Sequence, residues 1–162
     1  MGLPYMGGGD GGRNGLECLT VHLMSHQSVP PLQRVPIAWG SALLSEAGAW
    51  SVGRPTDLCV VPGTMLVQLR FSVQFASSLV GIRRAGVWVN GEERPGCGQM
   101  TVPAQLGGTP TAPTTPAEVV GATAVLTVSA GDVLTVWAQH TAPTTLLVVN
   151  SALTWVCFDK IG

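Results

Sequence analysis

Charge is the scarcest property of this sequence. Charged residues make up 10% of its 162 residues, against about 25% in a typical soluble domain. The formal net charge is −1, and a single one of the eight basic residues is a lysine, Lys160, so the sequence offers no basic surface for nucleic acid. Mean hydropathy is +0.36, yet no apolar run reaches the ~18 residues of a transmembrane helix. We therefore expect neither a nucleic-acid partner nor a membrane partner. We expect that much of the apolar surface is covered by protein.

Signals for export, disulfide scaffolds and helices are also missing. The start, "MGLPYMGGGDGG", has no basic region followed by an apolar block, so no secretory signal is predicted. The four cysteines are widely spaced without a C-x-x-C pair, and we expect buried or partly buried thiols. No segment of ten or more residues shows helical periodicity.

The residue patterns of catalytic and metal sites are absent as well. There are three histidines, no G-x-S-x-G elbow and no phosphate-binding glycine loop before a helix. On one face of a strand, His22 and His26 would lie about 13 Å apart, at ~3.3 Å per residue. That separation is too long for both to bind one zinc ion. We expect no catalytic residue, no metal and no cofactor, and the chain is not predicted to be an enzyme.

Short strands are what the sequence contains. In "LVQLRFSVQF" apolar and polar residues alternate without a break from Val67 to Phe75, which indicates a half-buried strand. The strand in "IRRAGVWVNGEERPG" ends at Asn90-Gly91, a strong hairpin signal because both residues tolerate positive φ. "VLTVSAGDVLTVWAQH" is interpreted as a hairpin that turns at Ser129–Asp132. The sequence predicts an all-β domain over residues 16–162, a sandwich or a barrel, after a glycine-rich flexible arm over residues 1–15.

One of these strands has no properly polar face. On residues 133–139 one face carries Leu134, Val136 and Ala138. The opposite face carries Val133, Thr135, Trp137 and Gln139. A hairpin that packs on a single core should leave one face to water. The second face is therefore expected to be covered by something else.

The order of these features resembles the jelly roll of the complement and tumour-necrosis-factor type. The resemblance spans about residues 16–162 and rests on "VQLRFSVQFASSLVGIRRAGVWVNGEE", "TAVLTVSAGDVLTVWAQH" and "LVVNSALTWVCFDKIG". "VHLMSHQSVPPLQRVPIAWGSALLSEAGAW" resembles the opening region of small virion proteins of tailed bacteriophages that have this fold. The resemblance implies an antiparallel jelly-roll sandwich of about eight to ten strands.

The resemblance also implies a homotrimer. Members of the family form tight trimers in which one sheet of each protomer faces the threefold axis, so neighbouring subunits would cover the second apolar faces. The trimer-interface candidates are Val133, Trp137, Leu153 and Trp155. Which sheet face lines the axis is left open by the sequence.

The function implied by the resemblance is structural. We expect a trimeric protein of the virion surface, a capsid decoration, head-fibre or tail-associated protein, assembled in the host cytoplasm. Its glycine-rich arm is expected to bind other virion proteins, such as major capsid or tail proteins, because glycine allows close backbone approach. The arm candidates are Met1, Tyr5, Gly8 and Arg13.

The alternative is a recognition module of a phage tail that binds a host-surface glycan or protein. Binding residues often lie on loops held by a rigid scaffold. The predicted loops are "NGEERPGCGQ", "LGGTPTAPTTPAE" and "HTAPTT". Their candidate residues are Glu92, Arg94, Thr111 and His140.

Overall fold

The computed structural model describes residues 18–44, 53–60, 63–101 and 117–161. These residues form thirteen strands and no helix, and every strand pair is antiparallel. The strands are β1 (Cys18–His22), β2 (Gln27–Val29), β3 (Val35–Pro36), β4 (Ser41–Leu44), β5 (Cys59–Val60), β6 (Met65–Phe75), β7 (Arg83–Val89), β8 (Glu92–Thr101), β9 (Ala117–Ala122), β10 (Leu126–Val128), β11 (Val133–His140), β12 (Leu146–Val148) and β13 (Trp155–Lys160). The all-β prediction is confirmed. The strand count exceeds the expected eight to ten because several segments are only two to four residues long.

The first sheet has eight strands, β1, β2, β4, β6, β9, β10, β12 and β13, with β6 at its centre. One edge of β6 pairs with β13, and the other pairs with β9 and β10. The alternation in the sequence predicted which side of β6 faces the core, and the structure confirms it. The buried residues of β6 on that side are Val67, Leu69, Phe71, Val73 and Phe75.

The second sheet has five strands, β3, β5, β7, β8 and β11, with β11 and β7 paired along most of their lengths. Alternate residues of these two strands, such as Val87 and Val136, join the core between the sheets. The predicted hairpin at Asn90-Gly91 is confirmed and connects β7 to β8. Its two turn residues have φ of 56° and 81°, as a tight hairpin with two left-handed residues requires.

The interpretation of "VLTVSAGDVLTVWAQH" as a hairpin is wrong. Its two strands are present and turn at residues 129–132, but they belong to different sheets. β10 pairs with β6, whereas β11 pairs with β7. A tight turn fixes where the chain reverses but not which neighbours the two strands then bond to. Here the turn carries the chain from the first sheet to the second.

Side-chain hydrogen bonds tie this turn to the β7–β8 hairpin. Asn90 Nδ2 donates to Asp132 Oδ1 at 2.7 Å, and the Val133 backbone N–H donates to Asn90 Oδ1 at 2.9 Å. The Ser129 backbone N–H donates to Asp132 Oδ2 at 2.8 Å. These bonds from Ser129 and Asn90 lower the pKa of Asp132 below its ordinary 3.8. Two connections of the sandwich are therefore joined at one carboxylate.

Asp132→Asn is expected to destabilise the fold at neutral pH but not in acid. Because folding lowers the pKa of Asp132, its carboxylate stabilises the protein above the unfolded-state pKa. That contribution is lost as the pH falls through the lower folded-state pKa. Urea midpoints should differ between wild type and variant at pH 7, and the difference should shrink below about pH 4. Glu92→Gln removes the same charge nearby without touching these bonds and is the control. A difference that stays constant with pH would contradict the assignment.

Candidate functional site

The outer face of the first sheet carries a row of side chains that crosses β13, β6 and β9. Trp155 on β13 and Val120 on β9 both pair with Ser72 on β6, so all three point to the same side. Val120 is 50% exposed, Trp155 is half-buried, and Leu153 just before β13 is 45% exposed. We call Val120, Leu153 and Trp155 the apolar row. Exposed apolar side chains on one face of a sheet are candidates for a protein contact surface.

Ser72 lies beneath the apolar row and contacts the backbone of one of its members, Leu153. Its side chain is buried, and its hydroxyl donates to Glu118 Oε1 at 2.6 Å. The same hydroxyl contacts the carbonyl oxygen of Leu153. Sequence alternation predicts Ser72 on the polar face of β6, but it does not reveal that this polar residue is buried under the Leu153 turn.

Charged side chains of β6 and β13, Arg70 and Asp159, border the apolar row. Arg70 Nε donates to Asp159 Oδ2 at 2.8 Å, and this bond raises the pKa of Arg70. Arg70 Nη2 lies 3.8 Å from the sulfur of Cys157, whose thiol is 3.5 Å from Asp159 Oδ1. The Arg70 side chain is half-exposed, and exposed pairs contribute only ~0–1 kcal/mol to stability. An apolar centre with a charged border is the composition of a protein–protein interface.

The second sheet's outer face is different because the chain itself covers Trp137. Trp137 is 1% exposed. The guanidinium of Arg34 lies 4.6 Å from the centre of its ring, and Trp88 packs at 6.1 Å. Arg34 in turn pairs with Glu93 at 2.5 Å. The prediction that a neighbouring subunit covers Trp137 is therefore wrong.

The four trimer-interface candidates divide between two opposite faces. Val133 and Trp137 lie on β11 in the second sheet, and Val133 is half-buried. Leu153 and Trp155 lie on the first sheet, where they are accessible. Since the outer faces of the two packed sheets point in opposite directions, the four residues cannot form one surface patch of a single chain. Of the four candidates only Trp137 is fully buried, Leu153 is exposed, and Val133 and Trp155 are both half-buried, each on its own face.

The loop candidates are placed differently from the prediction. Glu92 and Arg94 are on strand β8 rather than in a loop, although Glu92 is exposed. His140 ends β11 and is fully buried, with its ring Nε2 2.7 Å from the Val29 carbonyl oxygen. His140 as a recognition residue is therefore wrong, because its position after alternating core residues puts its ring inside. Thr111 lies outside the described residues, as do the arm candidates Met1, Tyr5, Gly8 and Arg13.

Two arginines with structural roles were not predicted from the sequence. Arg34 lies over the ring of Trp137, and Arg83 is buried and bonds to carbonyl oxygens of the loop after β6. Arg34 follows a proline-bearing segment without periodicity, so no pattern predicted its place over Trp137. For Arg83 the sequence did contain an indication of burial. It falls in the same two-residue alternation as Ala85 and Val87, which places it on the core side of the strand. Arginine is rarely fully buried in proteins, so its occurrence at a core position of a strand is unusual.

The described residues contain no group of three or more histidine, cysteine or acidic side chains that could hold a metal ion. Cys97 and Cys157 are both buried. Among the described residues there is no helix of the length and apolar character needed to cross a membrane.

Comparisons with known proteins address the fold. No known family model matches the sequence, and no curated protein matches it. Among solved structures, the Eiger TNF from S. frugiperda is similar, with a TM-score of 0.58 and 17% sequence identity. The match covers 91% of this chain and 93% of the other. The chain therefore has the jelly-roll fold of the tumour-necrosis-factor type, as the resemblance implied.

Proposed function

We propose that this chain is a trimer-forming structural protein of a tailed-bacteriophage particle. The apolar row on the first sheet is the observation that carries the self-association. Two of its three side chains are exposed by 45% or more in the single chain. Val120 lies on β9, which pairs with the central strand β6, and Leu153 lies in the turn before β13. Burying them against identical subunits would gain about 25 cal/mol for each Å² of apolar surface removed from water.

Composition and sequence resemblance support the location on a virion. With 10% charged residues and a net charge of −1, the chain has little electrostatic repulsion to oppose self-association. The opening region resembles that of small phage virion proteins with this fold. In this proposal the trimer sits on the capsid or tail, and the arm over residues 1–15 binds other virion proteins.

Light scattering on the purified chain tests the trimer. We expect a mass about three times the 16.8 kDa chain. Val120→Arg together with Leu153→Arg should reduce the mass to that of one chain, because burying six added arginines in each trimer carries a large desolvation cost. Leu79→Arg, which places the same charge on an end loop, should leave the trimer intact. A wild-type monomer would overturn the proposal of self-association.

Deletion of residues 1–15 tests the role of the arm. The truncated chain should keep its trimer mass but fail to bind particles that lack the protein. The measurement is co-sedimentation of the chain with such particles, and full-length protein is the control. Undiminished co-sedimentation of the truncated chain would show that the arm is not the attachment site.

The recognition module is the second candidate, and one end of the sandwich favours it. The loops after β2 and β6 meet the end of β11 there, and they carry three exposed apolar side chains. Leu32 is 68% exposed with φ of 63°, and Val80 is 50% exposed beside Leu79. Strained backbone in a bulky residue is enriched at binding sites. Saturable binding on a glycan array, lost in Leu32→Arg, would support recognition over a purely structural role.

A further inference from the structure

The turn between β7 and β8 contains a dipeptide that modifies itself in water. Asparagine is among the thermolabile residues of proteins, and it loses its amide nitrogen most readily when glycine follows. Asn90 and Gly91 form this turn, and both are exposed. Nothing lies within 4 Å of the position of the missing Cβ at Gly91. No side chain therefore shields the backbone nitrogen that attacks the asparagine amide in this reaction.

The amide of Asn90 is also part of a tertiary contact. Its Nδ2 donates to Asp132 Oδ1 at 2.7 Å, and its Oδ1 accepts the Val133 backbone N–H at 2.9 Å. We call these two bonds the Asn90 link. Hydrogen bonds from Ser129 and Asn90 lower the pKa of Asp132, so its carboxylate is ionised at neutral pH and can only accept. The Asn90 link therefore requires a side-chain donor at position 90.

We propose that Asn90 is a deamidation site whose reaction is held back by the Asn90 link and whose product breaks this link permanently. In the reaction the Gly91 nitrogen bonds to Cγ of Asn90 and closes a succinimide ring. The Cγ–Nδ2 bond breaks, and Nδ2 leaves as ammonia with the proton of the Gly91 N–H. Water then adds to either ring carbonyl and opens the ring to aspartate or isoaspartate. Water is the one co-reactant.

The Asn90 link opposes ring closure because closure draws Cγ of Asn90 towards the Gly91 nitrogen. This movement carries Nδ2 and Oδ1 away from Asp132 and Val133, so we expect both hydrogen bonds to open first. A hydrogen bond to an ionised acceptor is stronger than one between neutral groups. The folded chain should therefore deamidate at Asn90 at least about tenfold more slowly than the unfolded chain.

The product cannot form the Asn90 link again. A carboxylate at position 90 has no N–H to donate, so it would face the Asp132 carboxylate where a bond of 2.7 Å had been. Two like charges at such a short distance repel each other. Isoaspartate in addition lengthens the backbone of a tight turn by one methylene group. Deamidation therefore separates the β7–β8 hairpin from the turn before β11 and adds a negative charge to the chain.

Peptide mapping by mass spectrometry measures how strongly the fold holds the reaction back. The full chain is incubated at pH 8 in native buffer and in urea, and the deamidated fraction at Asn90 is followed with time. A second pair of the same type, Asn14-Gly15, is the internal reference for the chemistry in urea. We expect Asn90 to match Asn14 in urea and to react at least about tenfold more slowly in native buffer. Equal rates at Asn90 in native buffer and in urea would overturn the proposal.

Two variants separate the Asn90 link from overall stability. Asp132→Ala removes the acceptor of Asn90 Nδ2 and should raise the native deamidation rate several-fold. Gly86→Ala places a Cβ against the ring of Trp137 and leaves the link untouched, so it controls for global unfolding and should react like the wild type. An equal acceleration in both variants would mean that global unfolding, and not the link, controls the reaction.

An exchange of side chains tests the effect of the product. Asn90→Asp copies the aspartate product and should lower Tm at pH 7 by about 3–6 °C. Combining it with Asp132→Asn exchanges donor and acceptor, because the amide at position 132 can then donate to the carboxylate at position 90. The double variant should recover at least half of the lost Tm. A double variant no more stable than Asn90→Asp, or an Asn90→Asp variant as stable as the wild type, would contradict the proposal.

Discussion

Gly81→Ala is expected to lower the free energy of unfolding by about 3 kcal/mol or more, which is roughly 6–12 °C in Tm. Gly81 has φ of +86°, a backbone conformation that costs an L-residue about 1–2 kcal/mol. Its missing Cβ would also lie 2.8 Å from Ala142 Cα and from the Thr141 carbonyl carbon, and closer still to the Ala142 nitrogen. Backbone atoms cannot rotate aside as a side chain can, so the loops after β6 and β11 would have to separate.

Gly131→Ala separates the two causes of this loss. Gly131 has the same φ of +86°, but nothing lies within 4 Å of the position of its missing Cβ. Its replacement should cost only the backbone strain, about 1–2 kcal/mol. Urea unfolding of both variants measures the difference. Equal losses would mean that the loops yield without cost and that the close packing at Gly81 contributes nothing.

Gly86→Ala is expected to cost about 1–3 kcal/mol through crowding alone. Gly86 lies on β7 beneath the indole of Trp137, and its missing Cβ would sit 2.7 Å from Trp137 Cζ2. The same Cβ would be 2.6 Å from the Cys97 carbonyl oxygen on the neighbouring strand. The indole would have to lift away from the sheet and from Arg34. Unfolding by urea gives the stability loss, and a change in tryptophan fluorescence reports the displaced ring.

Gly63→Ala is the control for Gly86→Ala. Nothing lies within 4 Å of the position of the missing Cβ at Gly63, so alanine there meets open space. We expect no loss of stability and an unchanged fluorescence spectrum. If the two alanine variants were equally stable, the close packing of the Trp137 ring on β7 would not be the reason for glycine at position 86.

The sequence predicted the features that depend on local alternation. Period-two alternation in β6 identified its core-facing residues because side chains of a strand point to opposite sides in turn. Asn90-Gly91 predicted the β7–β8 hairpin because both residues tolerate the left-handed region. The same alternation places Arg83 on the core side of β7 and His140 on the core side of β11, where both are buried.

Features that depend on contacts between distant segments were not predictable. Trp137 was expected to be covered by a neighbouring subunit because it lies on the second apolar face of its strand and the family resemblance implies a trimer. Arg34, about a hundred positions earlier in the chain, lies over its ring instead. The turn at residues 129–132 was interpreted as a hairpin because local turn chemistry is the same whether the chain stays in one sheet or changes sheets.

The sequence by itself determined the all-β class, the side of β6 that faces the core and the low charge of the chain. Each of these follows from composition or from the two-residue period of a strand. The tertiary structure alone decided which apolar face is covered and which is open. Trp137 is covered by Arg34 and Trp88, whereas Leu153 stays exposed. Burial is a property of the whole packed chain, and residues far apart in sequence determine it only once both sheets are in place.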